Sequence, residues 1–361
     1  MTDPRPFATA DCGPLSLGRM EGASVLSVRD MTRDELLDLF RVAASLQTGA
    51  WLGPGALSGM IVLTAFFEAS TRTRLSFESA AHRLGAAVIS IADARLSSVL
   101  KGESLADTGV MLNAYADVVV IRHAAESSIY EIRSTELDVP LINGGNGCDE
   151  HPTQAMADWY ALLKWRPELS APEPPADRRI SLGVLGTPRR MRSLRSFLLM
   201  GLTHFPNAIR DITVVSEAGD PVDAALQHAF DRSGLRVVYT SEFARHVSRF
   251  DVIYQNSLTH VGSRYQGLDS GVRIDADTRL KYDAVVMHPL ARLHELSSEI
   301  DGTRHNLYFD QAHGAVFVRQ ALLLALTGRL GGEPHHAGYP EASDVHPRTV
   351  TANGFLVRPA G

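Results

Sequence analysis

The chain has 361 residues, 45% of them hydrophobic and 21% charged, with a formal net charge of −6. That length suits two domains of ordinary size, the composition excludes a disordered chain, and the acidic balance argues against nucleic acid as a partner. Cys12 and Cys148 are the only cysteines, which excludes a disulfide framework and a cysteine-based zinc site. No stretch approaches the ~18 apolar residues of a membrane span, and the Pro/Gly-rich start lacks a signal pattern, so a cytoplasmic protein with no membrane partner is expected.

Residues 1–22 read as an N-terminal arm. Thr32 to Leu46 has a helix start at Thr32, Asp34 and Glu35, followed by Leu36, Leu37, Phe40, Val42 and Ala43 on one face. Met60 to Phe66 is an apolar run of buried-strand type, and Thr71 to Leu84 places Leu75, Phe77, Ala80, Ala81 and Leu84 at helical spacing. Ala86 to Ile91 is a second strand, and residues 92–104 form a polar loop with Ser97, Ser98 and Lys101. Leu105 to Tyr115 reads as a helix, Ala116 to Arg122 as a strand, and Glu126 to Thr135 as a helix before a strand at Val139 to Asn143. A turn-rich loop, Asn143 to Glu150, delivers His151-Pro-Thr-Gln154 to the start of a helix ending at Trp165; Pro is favoured there because its missing N–H would be unpaired anyway.

Residues 166–178 hold four prolines and read as a linker. A second alternating unit follows, with strands at Ile180–Gly186, Ile212–Ser216, Leu235–Thr240, Asp251–Tyr254 and Ala284–Met287 and a helix at Leu194–Thr203. Ala315 to Leu330 is a last apolar helix expected to pack back on the first domain, and residues 331–361 are a C-terminal extension. Strands alternating with helices imply α/β architecture: two doubly wound parallel-sheet domains, 23–165 and 179–310, joined by interdomain helices.

In such sheets ligands bind outside the carboxyl ends of the strands, where the polar clusters of this sequence fall. Ser70 and Thr71 sit at the start of a helix after a strand, where free N–H groups and the helix dipole favour an anion. Hydroxyls from Ser70, Thr71 and Thr73 and the planar fork of Arg72 suit a phosphate. Arg122-His123 ends one strand, Asn143 to Gln154 follows another, and Arg189, Arg190 and Arg192 follow the first strand of the second unit. Only Lys101, Lys164 and Lys281 are lysines in an arginine-rich chain, which singles out Lys101 in its polar loop.

In combination, Phe67-Glu-Ala-Ser-Thr-Arg-Thr-Arg74, Lys101-Gly-Glu-Ser-Leu-Ala-Asp107, Ile121-Arg-His123, His151-Pro-Thr-Gln154, Met287-His-Pro-Leu290 and Gln311 through Gln320 resemble the aspartate/ornithine carbamoyltransferase family, closest to the aspartate branch, over residues 23 to 330. The resemblance implies transfer of a carbamoyl group from carbamoyl phosphate to an amino acid, with no cofactor. It implies that Ser70, Thr71, Arg72 and Thr73 hold the phosphate. Thr73, Arg122 and His151 match the family's donors to the carbonyl oxygen, and negative charge developing there needs such preset donors. Gln154 and the backbone near Pro289 and Leu290 match the acceptors for the carbamoyl NH2. Ser97 and Lys101 match a loop that enters a neighbouring subunit's site, which implies a homotrimer with shared sites. Glu68 reads as a structural partner for an arginine.

The acceptor half departs from this pattern. Arg192 matches the arginine that holds an acceptor carboxylate, and Leu290 also borders that subsite. Ser257 stands where the aspartate enzymes have a second arginine, and Thr259 where they have glutamine. Losing a charge-assisted contact costs ~1.5–3 kcal/mol. Two acceptors stay open at this point. One is aspartate for pyrimidine synthesis, with an arginine such as Arg264 or Arg292 replacing the clamp. The other is a different amino acid, such as a diamino acid. A non-catalytic scaffold would show damage in the donor motifs, and none is visible. A dinucleotide enzyme lacks its Gly-x-Gly-x-x-Gly after the strand at Ile180.

Overall fold

Three apolar runs and the Leu-Ile-Asn-Gly-Gly-Asn segment build the first sheet. Strands β1 (Ile61–Phe66), β2 (Ala87–Ile91), β3 (Val118–His123) and β4 (Leu141–Asn146) lie in the order β2-β1-β3-β4, all parallel. The central strands β1 and β3 are almost wholly buried, which is why they read as unbroken apolar runs rather than alternating ones. The computed structural model describes residues 3, 16–49, 55–93, 102–135, 137–256, 258–261, 264–267 and 272–331; at 258–261 and 264–267 it describes the backbone alone.

Helices α1 (Arg33–Thr48), α2 (Thr71–Arg83), α3 (Leu105–Tyr115), α4 (Ser128–Arg133) and α5 (Pro152–Trp165) accompany this sheet. Helix α1 opens with a reciprocal capping box between Thr32 and Glu35 and stops at Gly49, whose φ of 73° suits the left-handed C-cap. The second sheet, among the described residues, has the order β11-β8-β5-β6-β7 and is parallel. Its elements are β5 (Ile180–Leu185), α6 (Arg192–His204), β6 (Ile209–Val215), α7 (Ala224–Ser233), β7 (Arg236–Thr240), α8 (Phe243–His246), β8 (Val252–Gln255) and β11 (Val285–Met287). Strands β9 (Leu258–Val261) and β10 (Arg264–Gly267) form a separate antiparallel hairpin. The two expected doubly wound α/β domains are therefore present.

Helix α9 (Tyr308–Leu326) leaves the second domain and packs on α1, α2 and α5 of the first. The domains also meet through Trp159 of α5. Its ring stacks on Phe197 of α6 and on Phe205, with centroids 5.5 and 4.7 Å away, and its Nε1 donates to the Phe197 carbonyl at 3.1 Å.

Several boundaries differ from the sequence reading. Helix α9 begins at Tyr308 rather than Ala315, running through Gly314. A Cβ there would meet the Tyr160 ring at 3.1 Å, so the glycine marks close helix packing and not a break. Strand β4 continues to Asn146 through Gly144 and Gly145, where a turn was expected; a Cβ at Gly144 would lie 3.0 Å from the Ile121 carbonyl of β3. The hairpin at 258–267 had no counterpart in the sequence reading. The expected arm (1–22) is described only at residue 3 and from residue 16, and the extension (331–361) only at residue 331.

Each sheet has a point where the strand order reverses, between β1 and β3 in the first and between β5 and β8 in the second. Such switch points open a crevice at the carboxyl ends of the strands. At those ends stand Phe67–Ser70 after β1, Arg122–His123 closing β3, Gly186–Arg190 after β5 and Asn256 after β8.

Candidate active site

These segments border one cavity of about 580 Å³. Ser70, Thr71, Arg72, Thr73, Arg122, His151, Gln154, Arg192, Pro289 and Leu290 all line it. Five of the lining residues are arginines (72, 122, 190, 192 and 319), and among the described residues no carboxylate lines the cavity, so its natural guest is an anion.

The anion corner is the start of α2. Ser70 is the N-cap with extended backbone (φ −158°, ψ 100°), and its side chain makes no capping hydrogen bond. No acidic residue stands in the first turn. The dipole and the first N–H groups are thus left for a ligand instead of being satisfied from within. Arg72 is exposed at the rim of the cavity, and partial desolvation lowers its pKa without discharging a guanidinium.

Deeper in, Thr73 Oγ1 lies 3.2 Å from His151 Nε2, and both residues are buried. His151 is the N-cap of α5, and its backbone N–H donates to Ser196 Oγ of α6 at 2.8 Å. Burial, and then the charges of Arg122, Arg192 and Arg319, hold its pKa well below the usual histidine value. The imidazole is therefore neutral at physiological pH and suited to hydrogen bonding rather than to carrying a proton.

Glu68 joins the two domains across this region. Its Oε1 accepts from Arg122 Nη2 at 2.8 Å and Arg192 Nη2 at 2.5 Å, and its Oε2 accepts from Arg192 Nη1 at 3.0 Å. Arg192 Nη1 also donates to the Gly147 carbonyl at 2.6 Å. Glu68 is a partner for arginines, as its sequence context suggested, but for two of them. Arg192, expected to face an acceptor carboxylate, shares its guanidinium with Glu68.

On the opposite wall the Leu290 N–H donates to His288 Nδ1 at 2.9 Å, and His288 Nε2 meets Glu295 Oε1 at 3.0 Å. The carboxylate can only accept, so the proton is on Nε2. Leu290 holds φ +50°, unusual for a residue with a side chain, and the Leu290–Ala291 peptide is cis.

On the acceptor side, Arg190, Met191, Ser193 and Asn256 line the cavity, with Asn256 Nδ2 donating to Ser193 Oγ at 2.9 Å. Arg292 is not among the lining residues: its Nη2 donates to Asp301 at 2.7 Å, so the expected substitution of the clamp by Arg292 does not occur in this structure. Ser97, Lys101 and Ser257 lie outside the described residues, and Thr259 and Arg264 lie in β9 and β10, whose side chains are not described.

Sequence reasoning gave no role to Ser193, Asn256, His288, Gln311 and Arg319, all of which line the cavity. Arg319 is 2% exposed and lies over the Phe77 ring at 4.9 Å; among the described residues it makes no ion pair, and burial lowers its pKa to about 10. The only signal for it was its place in the Gln311–Gln320 motif.

A phosphate at α2, a carbonyl oxygen near Thr73, Arg122 and His151, and an amine arriving from the Arg192 side fit this arrangement. Residues 23–164 match the aspartate/ornithine carbamoyltransferase carbamoyl-P binding domain, and residues 202–326 match the Asp/Orn binding domain of the same family. The aspartate carbamoyltransferase catalytic subunit of Thermoplasma acidophilum is 34% identical over 317 residues, covering 86% of this chain and 99% of that protein. That of Hyperthermus butylicus is 36% identical over 320 residues, covering 86% and 97%. The crystal structure of aspartate transcarbamoylase from Trypanosoma cruzi with carbamoyl phosphate and aspartate superposes with a TM-score of 0.74 at 30% identity, covering 87% of this chain and 99% of that one. This chain belongs to the aspartate/ornithine carbamoyltransferase family.

Proposed function

We propose that this protein transfers the carbamoyl group of carbamoyl phosphate to the amine of aspartate, giving N-carbamoyl aspartate and phosphate, a step of pyrimidine synthesis. The observation that carries the reading is the cationic cavity in which the uncapped start of α2 adjoins Thr73, Arg122 and His151. In this reading residues 23–165 hold carbamoyl phosphate and residues 179–310 the acceptor. The phosphate sits on Ser70, Thr71, Arg72 and Thr73. Thr73, Arg122 and neutral His151 direct hydrogen bonds at the carbonyl oxygen, where negative charge grows as the amine attacks the carbon. The bond from carbon to the phosphate oxygen then breaks, the attacking nitrogen gives up a proton to the departing phosphate, and the phosphate stays held by the same donors until release. Orientation and electrostatics supply the rate enhancement.

One observation favours a second acceptor class. Arg192 is shared with Glu68, Arg292 is paired with Asp301, and Ser257 replaces an arginine of the aspartate branch, so the two-carboxylate clamp is thinner than the family pattern. An amino acid with one carboxylate, such as a diamino acid, suits that balance. Incubation with carbamoyl phosphate and a panel of single amino acids, with mass detection of products, separates the readings. Turnover with aspartate at sub-millimolar concentration supports the first, turnover only with another amino acid supports the second, and phosphate-tight binding without any turnover refutes both in favour of a scaffold.

The same reading includes a cytoplasmic homotrimer whose Ser97 and Lys101 reach a neighbouring site. Exposed apolar side chains on α2 and α3 (Leu75, Val110, Met111 and Tyr115) support an association surface. Light scattering and cell fractionation test these two points.

A further inference from the structure

The donor substrate's amine carries two N–H groups, and a pocket that selects it must present acceptors and no donors. In this cavity that task depends on a residue that does not line it. Asp158 of α5 is fully buried, at 0% exposure. Its Oδ1 accepts from Gln154 Nε2 at 2.7 Å and from Gln311 Nε2 at 2.8 Å, and its Oδ2 accepts from Tyr254 OH at 2.7 Å. A carboxylate oxygen can only accept, so each amide must turn its nitrogen toward Asp158. For Gln154, a lining residue, this leaves Oε1 as the amide atom available to the cavity. For Gln311 it leaves Oε1 to accept the His288 backbone N–H at 2.9 Å, which anchors the chain just before Pro289 and Leu290.

We propose that Asp158 is a positioning residue for donor selectivity, orienting Gln154 and, through Gln311, the 288–290 backbone so that only oxygen acceptors meet the carbamoyl nitrogen. This rests on the carbamoyl phosphate reading above. The hub draws one group from each of α5, β8 and α9, so it also ties the amide orientations to the packing of both domains. Burial pushes the Asp158 carboxyl up to about 7, with the three donors pulling it back. Protonation would fall on Oδ2, where Tyr254 can accept in turn, and would leave Oδ1 accepting both amides.

The test is the ratio of dissociation constants for acetyl phosphate and carbamoyl phosphate, two ligands that differ by a methyl in place of the amine, measured calorimetrically alongside inorganic phosphate. Asp158→Leu removes the acceptor at similar size. It is expected to lower that ratio at least tenfold while phosphate affinity stays within about threefold. Asp158→Asn keeps Oδ1 and can donate to the Tyr254 oxygen, so it is expected to retain most of the selectivity. Gln311→Met, which cuts one arm only, is expected to lose several-fold and carries the test where Asp158→Leu does not fold. An unchanged ratio in Asp158→Leu or Gln311→Met overturns the proposal, as does equal weakening of both ligands. Equal loss in the Asn and Leu variants also overturns it, because charge and not amide orientation would then be at work. Failure of the native protein to bind carbamoyl phosphate at all refutes the underlying functional reading, and the inference with it.

Discussion

Replacing Glu68 by glutamine tests whether one carboxylate holds the cationic cluster together. In the native protein Glu68 is the partner of Arg122 and Arg192, and all three side chains are less than 10% exposed. The Glu68→Gln side chain would have one acceptor oxygen for two guanidinium groups and would aim an NH2 at one of them. Removing one member of a buried ion pair costs ~3–5 kcal/mol, because the remaining charge stays desolvated. Here two charges remain, close enough to His151 to depress its pKa. The cost therefore falls mainly on the ligand-free protein, since a bound phosphate dianion supplies part of the missing charge. Thermal unfolding should show a loss of roughly 3 kcal/mol or more without ligand, with a substantial fraction recovered in saturating phosphate. Turnover should drop too, because Arg122 loses its orienting partner. A Glu68→Gln protein within about 1 kcal/mol of native stability, with phosphate stabilising both equally, would refute the argument.

Other outcomes follow from single observations. Arg72→Ala should weaken phosphate binding roughly tenfold to a hundredfold in calorimetry, the cost of a charge-assisted contact at the α2 terminus. Lys164 is 4% exposed, with Gln47 Oε1 at 3.3 Å, and burial lowers its pKa from 10.5 to about 8. A lowered lysine pKa means that the folded state binds its proton less well than the unfolded one. The penalty, about 3 kcal/mol, is complete below about pH 8 and gone above 10.5. Lys164→Met should therefore stabilise the protein at pH 7, with the gain in unfolding free energy shrinking as the pH rises toward about 10. Gly314→Ala should destabilise by about 1–3 kcal/mol in denaturant titration, because its Cβ would press on the Tyr160 ring.

What was legible in the sequence had short range. Phe67 to Arg74 carries a strand end, a helix start and the anion donors within one run, so local pattern alone located that corner of the cavity. The long-range partnerships were not legible. Glu68 and Arg192 stand 124 positions apart, and nothing local to either names the other. Asp158 sits inside an apolar helical stretch, where a lone acidic residue gives no sign that three donors from three elements converge on it. Glycine was ambiguous for a physical reason. Gly144 reads as a turn signal and Gly314 falls just outside the expected last helix, yet both serve close approach of regular elements, where a Cβ would be crowded.

The cavity's charge balance bears on the acceptor more directly than the motif comparison does. Arg122, Arg192 and Glu68 together carry one net positive charge, so a single acceptor carboxylate beside Arg192 neutralises the cluster. That carboxylate does not find an idle cation, since three N–H contacts of Arg192 already go to Glu68 and Gly147. The second carboxylate of a dicarboxylic acceptor needs its own counter-charge. Arg190 lines the cavity beside Arg192, and Arg189 and Arg292 do not line it. On the reading proposed above, discrimination between mono- and dicarboxylate acceptors falls to residues 187–193, the loop after β5 and the first turn of α6. On the same reading the donor half takes its cations from α2, with Arg72, and from the end of β3, with Arg122. Acceptor choice can shift in such a site while carbamoyl phosphate recognition stays as it is.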